Sequence, residues 1–391
     1  MKKKSVNSSR MPLYRDAGFE LYDADTTKDA FARETENERV PDLYIYSRYR
    51  NPTVVSAEEE IMKLEESAWA LLTQSGMSAI DIAVSVHQHA EATRPWLFFS
   101  EIYGGTVSYT ESILKKRRGV QVSYFNPENE EYDHALFARV LRDIRPGLVY
   151  IEAISNPMLI VTDLEKVIEM AHSEGAAVIV DNTFATPRLC KPLALGADLV
   201  IHSATKYFSG HGNITAGVLC GNDVTLMKEA VEYRKYVGHV ISPDDAYRLQ
   251  TQIQTFGLRF DAQSRNAAGI TALLDQHPSV ERVWYPGLPG HPTHKTALKL
   301  FGDRGFGAMV TFSFRGPSYN EKKNRRDKFI KAVSDSIKII PSLGDPRTII
   351  MPVESVWGAK YPDPGIIRMS PGFEDWNNLE RIISGALEEV K

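Results

Sequence analysis

The chain has 391 residues, with 46 Lys and Arg against 50 Asp and Glu and a net charge of −4. Hydrophobic residues at 43% and charged residues at 25% describe an ordinary folded protein of two or three domains, not a disordered or fibrous one. The charge balance offers no basic excess for a nucleic-acid backbone. Two cysteines, Cys190 and Cys220, exclude a four-thiolate metal site, and no run approaches the ~18 apolar residues that span a bilayer.

Met1-Lys2-Lys3-Lys4 is followed by polar residues, so no secretory signal is expected and the cytoplasm is the expected compartment, with both thiols reduced. Residues 1–52 carry no regular period. Tyr44, Tyr46, Arg48, Tyr49 and Arg50 lie there among turn formers, as in a tail or in an arm that gains order on another surface. From residue 53 onward, strand-length apolar runs alternate with helical periods. The runs are 68–73, 96–100, 148–152, 177–181 and 199–202. Between two of them, Leu164, Val167, Ile168 and Ala171 recur at helical spacing. Thr162 with Glu165 predicts a capping box, and Gly175 a stop. Nearly continuous apolar runs suit strands covered on both faces, hence a mainly parallel α/β sheet. After about residue 243 the spacing predicts one long helix through Gln250–Leu274, a strand over Met309–Phe314 and a closing helix near Leu379–Val390. The expected division is an arm over 1–52, a large domain over 53–247 and a smaller α+β domain over 248–391, bridged by the long helix.

Four segments carry chemistry. His202-Ser203-Ala204-Thr205-Lys206-Tyr207 places a lysine just past a buried strand, where scarce water lowers the cost of the neutral amine that a Schiff-base lysine needs. On this segment alone, a surface lysine after a strand is the commoner arrangement. Val180-Asp181-Asn182-Thr183 ends a buried strand on a carboxylate, one strand–helix–strand step upstream; both residues then fall on the C-terminal sheet edge, where ligands bind. A lysine and an aspartate across that edge suit pyridoxal phosphate: the amine takes the aldehyde and the carboxylate holds the ring nitrogen protonated. Asp181 by itself is equally a strand-end turn former. Thr73-Gln74-Ser75-Gly76-Met77-Ser78 opens a helix whose free N–H groups would cradle a phosphate, although a plain strand-to-helix turn is commoner. Tyr103-Gly104-Gly105-Thr106 puts an aromatic ring at another strand end, where it would stack on a planar group or cap a tight turn.

With Tyr46-Ser47-Arg48, Asn51-Pro52-Thr53, Ser155-Asn156-Pro157, Tyr285-Pro286-Gly287-Leu288, Ser342-Leu343-Gly344 and Ile367-Arg368-Met369-Ser370, these segments follow in an order and spacing that resemble the Cys/Met-metabolism family of pyridoxal-phosphate enzymes, from about Tyr46 to the C-terminus. That family includes cystathionine γ-synthase, cystathionine γ-lyase, methionine γ-lyase and the O-acylhomoserine sulfhydrylases. The resemblance implies the aspartate-aminotransferase-like fold (fold type I) and pyridoxal 5'-phosphate as cofactor. It implies Lys206 as Schiff-base lysine and proton shuttle, Asp181 as partner of the pyridinium, and Thr183 beside the ring. Tyr103 is implied as stacking ring and leaving-group acid, and Gly76, Met77, Ser203 and Thr205 as phosphate ligands. Asn156 would meet the phenolic oxygen, and Arg368, helped by Ser342, would clamp the substrate carboxylate. Tyr46 and Arg48 are implied to reach the phosphate of a neighbouring subunit, so the arm would pack on a partner chain in a dimer, and two dimers would form a homotetramer.

The chain departs from the family at informative places. Gly105 stands where methionine γ-lyases carry cysteine, and Arg234-Lys235 where they carry Lys-Asp. Pro341 replaces a glutamate common in cystathionine enzymes, whereas Gly344-Asp345 with Thr348 resembles sulfhydrylases and methionine γ-lyases. Gly210-His211-Gly212-Asn213 alters Gly-His-Ser-Asp, and Met351-Pro352-Val353-Glu354-Ser355-Val356-Trp357 replaces a segment that holds a histidine; Glu354 is expected at the surface rather than as a distal carboxylate. The expected activity is γ-replacement on an O-acylhomoserine, with γ-lyase release of 2-oxobutanoate and ammonia as the alternative and an aminotransferase as the reading outside the family. No G-x-G-x-x-G follows a strand in the N-terminal half, which argues against a dinucleotide site.

Overall fold

The computed structural model describes residues 11–89 and 93–390. Two sheets organise it. The larger has seven strands, β1 (Trp69–Thr73), β2 (Trp96–Phe99), β3 (Val122–Phe125), β4 (Leu148–Glu152), β5 (Ala177–Asp181), β6 (Leu199–His202) and β7 (Gly217–Gly221), in the order β1-β7-β6-β5-β4-β2-β3. β6, β5, β4, β2 and β3 run parallel, and β7 is antiparallel to both of its neighbours, so β1 and β6 point the same way. The C-terminal ends of β1, β4, β5 and β6 therefore share one edge. β1, β4 and β6 are buried at every position, as strands covered by helices on both faces must be. The smaller sheet joins β8 (Val280–Trp284), β9 (Val310–Phe314), β10 (Lys338–Ile339), β11 (Ile349–Pro352) and β12 (Ile366–Ser370) in the order β10-β11-β12-β9-β8.

Each sheet has its own apolar core. Helix Phe256–Asp275 belongs to both: Phe256 and Phe260 pack in the larger core, Ala267, Ile270 and Leu274 in the smaller. The single helix expected over 250–274 is two. Helix Pro243–Ile253 ends and a second begins at Phe256, because Thr255 leaves the helical region with φ −104 and ψ 8. A boundary at 247/248 would fall inside the first of these, whose Leu249 and Ile253 also pack in the larger core.

Local chemistry also corrects the expected cap at 162. Asp163, not Thr162, caps helix Leu164–Ser173 by accepting from the Lys166 N–H, while the Thr162 hydroxyl donates to the Glu152 carbonyl 3.1 Å away. Gly175 does end that segment, at φ +70. The N-terminal segment holds a helix, Ala24–Glu34, capped by Asp23, which its polar sequence did not announce. This segment also lies on its own chain: Arg15 pairs with Asp244 at 2.7 Å, the Tyr14 N–H donates to Thr53 Oγ1 at 2.9 Å, and Lys235 pairs with Glu34 at 3.0 Å. Strands β3 and β7 carry no apolar run that stands out; β3 is only partly buried, and β7 is bounded by glycines. Those glycines are required by close packing, since a Cβ at Gly217 would sit 2.2 Å from the Ser75 carbonyl oxygen and one at Gly221 2.4 Å from the Trp69 ring. Among the described residues no helix is long and apolar enough to cross a membrane.

Candidate active site

A cavity of about 590 Å³ lies at the C-terminal sheet edge, between the two sheets. The larger sheet contributes Gly76, Met77, Tyr103, Glu152, Asn156, Asp181, Thr183, Ser203, Thr205 and Lys206; the smaller sheet and its loops contribute Pro341, Ser342, Met351, Val356, Trp357 and Arg368. Eleven of the thirteen residues singled out from sequence thus share one cavity. The other two, Tyr46 and Arg48, do not line it. Tyr46 is 41% exposed, and the Arg48 guanidinium donates to the Lys235 carbonyl at 2.7 Å and lies over the Tyr49 ring.

Lys206 sits four residues beyond β6, and its amine donates to Ser342 Oγ at 3.0 Å, across the gap between the domains. Burial lowers its pKa to about 8; Arg368 adds to this, and Asp345 opposes it. The turn that carries it is locked from behind. Arg259 donates to the carbonyls of Tyr207 and Phe208, both at 2.9 Å, and Gly210 must be glycine because a Cβ there would meet Arg259 Nη1 at 1.5 Å.

Asp181 ends β5, buried. Its Oδ1 accepts from the Thr183 N–H at 2.9 Å, and the Tyr150 hydroxyl lies 3.4 Å from Oδ2. Burial raises its pKa, against the Thr183 hydrogen bonds. The Thr183 hydroxyl accepts from the Ser203 N–H at 2.8 Å, tying the ends of β5 and β6 together. The Thr205 hydroxyl exchanges hydrogen bonds with the Ala216 backbone, donating at 3.0 Å and accepting at 2.9 Å, so its proton is already engaged.

At the end of β1, Ser75 caps helix Gly76–Ser85 by accepting from the Ser78 N–H. The first N–H groups of a helix have no acceptor within it, so those of Gly76 and Met77 are available to an anion in the cavity. A Cβ at Gly76 would lie 3.0 Å from Ser203 Cβ, so glycine brings helix and lysine loop together there. Tyr103 is 50% exposed, and its backbone N–H donates to Glu152 at 2.6 Å. Its ring folds back over Gly105, where a Cβ would come within 2.3 Å of it.

Arg368, on β12, is buried. It donates to Asn156 Oδ1 at 2.9 Å and to the Ser342 carbonyl at 3.1 Å, while its Nε has no partner. Burial lowers its pKa to about 10. Among the described residues no carboxylate forms a salt bridge with it, and Glu152 across the cavity only partly offsets its burial.

Pyridoxal phosphate fits these residues. There is a buried carboxylate for a protonated ring nitrogen, an amine of lowered pKa for its aldehyde, and a helix N-terminus with a crowding glycine for its phosphate. Sequence reading missed Glu152, although it ends β4 just as Asp181 ends β5, beside it in register; burial, then Asp181, pushes its pKa up. Met351 and Trp357 lie in the segment already noted as a departure from the family, but no local pattern marks them as cavity residues. Glu354, as expected, does not line the cavity; it accepts from the Tyr319 hydroxyl at 2.6 Å and pairs with Arg326 at 3.3 Å. Arg234 and Lys235 are structural clasps as well, pairing with Glu58 at 2.6 Å and Glu34 at 3.0 Å.

Fold and site together define a fold type I, pyridoxal-phosphate-dependent enzyme. The chain belongs to the Cys/Met metabolism PLP-dependent enzyme family, which it matches over residues 1–388. It is 33% identical to an L-methionine gamma-lyase of Fusobacterium nucleatum subsp. polymorphum, over 97% of this chain and 93% of that protein. It is 36% identical to an O-succinylhomoserine sulfhydrylase of Pseudomonas aeruginosa, over 86% and 81%. A crystal structure of cystathionine gamma synthase from Xanthomonas oryzae pv. oryzae in complex with cystathionine superposes with a TM-score of 0.84 at 28% identity, over 97% of this chain and 92% of that one. The relatives' activities place the chain among the carbon–sulfur lyases and transferases of cysteine and methionine metabolism.

Proposed function

We propose that the protein catalyses γ-replacement on an O-acylhomoserine. The observation that carries an amino-acid substrate is the buried Arg368 guanidinium, in no salt bridge among the described residues, in the same cavity as Lys206 and Asp181, and the likeness to an O-succinylhomoserine sulfhydrylase favours replacement. When bound, pyridoxal phosphate supplies an aldehyde that captures amines and a ring that accepts electrons. Asp181 keeps the ring nitrogen protonated. The N–H groups of Gly76 and Met77, with the Ser203 hydroxyl, hold the phosphate, and Thr205 keeps the loop in shape. Asn156 meets the phenolic oxygen while fixing Arg368. The guanidinium grips the substrate α-carboxylate through its free Nε and a rearranged Nη, as planar forks do. The Lys206 amine, neutral in part near pH 8, removes the α-proton and redelivers it along the chain. Ser342 orients that amine. Tyr103, on its half-exposed loop, stacks on the ring and stands ready to protonate the leaving group. Tyr46 and Arg48 serve the phosphate of a neighbouring subunit, in a homotetramer made of two such dimers.

A γ-lyase is the second reading, favoured by the likeness to methionine gamma-lyases along nearly the whole chain. Incubation with O-acetyl-L-homoserine, with and without sulfide or methanethiol, separates the two. The expected result is a thioether or thiol amino acid in the presence of the nucleophile, with little 2-oxobutanoate. Equal 2-oxobutanoate release with the nucleophile present would reject replacement in favour of elimination. For the arm, mixing inactive Arg48→Ala and Lys206→Ala subunits should restore activity, because a mixed dimer regains one complete site; no recovery in mixed dimers refutes the shared site.

A further inference from the structure

The substrate side of the cavity is closed by a segment that the reaction itself does not use. Helix Glu354–Trp357 follows β11 directly, and Met351, Val356 and Trp357 line the cavity. The indole lies 5.6 Å from the Arg368 guanidinium. A few residues on, Lys360 pairs with Glu101 at 3.1 Å and donates to the Ser100 carbonyl at 2.8 Å, and the buried Tyr361 hydroxyl donates to the same Glu101 carboxylate. Glu101 stands two residues before Tyr103 in the other domain. One carboxylate thus ties the loop of the Tyr103 ring to the segment of the Trp357 ring, across the mouth of the cavity. A substrate gripped by Arg368 meets Trp357 beside it, on the small-domain wall that also holds Met351 and Val356.

Among the described residues, no acid on that side is open to a cation. Glu101 is taken by Lys360 and Tyr361 and Glu354 by Tyr319 and Arg326, while Glu152, in the cavity wall, accepts the Tyr103 N–H and is held toward its neutral form by burial and by Asp181. Pro341 and Met351 add only apolar surface. An ammonium group entering there would lose water and feel Arg368, and the attraction of the ring face does not offset both.

We propose that Trp357, held in place by the Glu101–Tyr361–Lys360 clasp, selects the substrate side chain, admitting an uncharged, largely apolar γ-substituent and rejecting one that ends in an ammonium. This rests on the amino-acid chemistry proposed above. The test uses the holoenzyme and two non-reacting probes, L-norleucine and L-ornithine, each titrated against the visible absorption of the bound cofactor. Wild type should bind norleucine roughly tenfold or more tighter than ornithine. Trp357→Ala should bring the two within about threefold by opening the path to water, and Trp357→Phe should keep the preference. Tyr361→Phe should fall between, leaving the band of the unliganded enzyme unchanged. A normal band with the same ratio in wild type and Trp357→Ala overturns the role of Trp357 alone. Ornithine bound as tightly as norleucine by wild type overturns the selection. A protein that stays colourless after incubation with pyridoxal phosphate overturns the underlying function and this inference with it.

Discussion

On the large-domain wall of the cavity, Gly76, Asp181 and Lys206 each stand within four residues of the end of a buried strand, and their neighbours hold them by backbone hydrogen bonds. On the small-domain wall, Ser342 and Trp357 come from short connections, Met351 comes from β11 near its end, and Arg368 lies on a fully buried strand. The first wall is rigid because parallel strands place their ends in one plane. The second is positioned by contacts between domains, such as the Lys206–Ser342 hydrogen bond and the Glu101 clasp. The cofactor half of such a site is therefore set by sheet topology, and the substrate half by how two cores dock.

The contrast can be broken from either side. The largest effect should come from Lys206→Ala, which would remove the proposed proton carrier and covalent anchor. Turnover should fall by roughly four orders of magnitude, with loss of the visible band of the loaded enzyme. A variant that keeps both band and turnover would remove the large-domain wall from the chemistry. Arg368→Lys should do the opposite: the band persists while KM rises roughly 100-fold, because an ammonium cannot replace a two-pronged guanidinium. An unchanged KM would dissociate the small-domain wall from carboxylate binding.

The lowered pKa of Lys206 sharpens the comparison through rate. Burial favours the neutral amine, the form that attacks the aldehyde, so capture of pyridoxal phosphate by the cofactor-free protein should quicken as pH rises. The rate should grow about tenfold per unit below pH 8 and level off above it. Stopped-flow absorbance measures this; a rate still climbing at the ordinary lysine pKa would mean that the wall does not desolvate the amine.

The smallest effect concerns the support of helix Gly76–Ser85, proposed above to hold the phosphate. Asp81, five residues beyond Gly76, is buried, which disfavours its charge. Hydrogen bonds from His239 at 2.8 Å and from Tyr109, with the Arg118 pair at 2.6 Å, outweigh that and bring its pKa to about 2. Because the folded value lies below the unfolded one, its stabilisation is complete above about pH 4 and is lost as pH falls toward 2, about 2 kcal/mol in all. Asp81→Asn should flatten the unfolding free energy across that window; an unaltered acid limb would show that the cluster does not support the helix.

Legibility follows the same divide. The apolar runs at 148–152, 177–181 and 199–202 became β4, β5 and β6 with little change, because strands buried on both faces keep charged residues to their ends. Lys206 and Asp181 were readable as strand-end residues, and Glu152 carried the same signal unread. By contrast, β7 depends on glycines that only Trp69 and Ser75 explain, and helix Ala24–Glu34 hides in a polar stretch because it buries little beyond Ala30. The break at Gln254–Thr255 has no proline or glycine to announce it. Helix caps were misplaced by one residue where two capping side chains stood side by side at Thr162 and Asp163.

By itself the sequence determined the alternation of strand and helix, the edge on which lysine, aspartate and phosphate loop meet, and the family to which the chain belongs, since these depend on burial periodicity and on residues next to strand ends. Only the tertiary structure decided that Glu354 turns to Arg326, that Glu101 ties two rings across the cavity mouth, and that Trp357 stands beside Arg368. Those contacts join residues 11 to 260 positions apart, and no local pattern of hydrophobicity or charge records which groups two docked cores bring within reach.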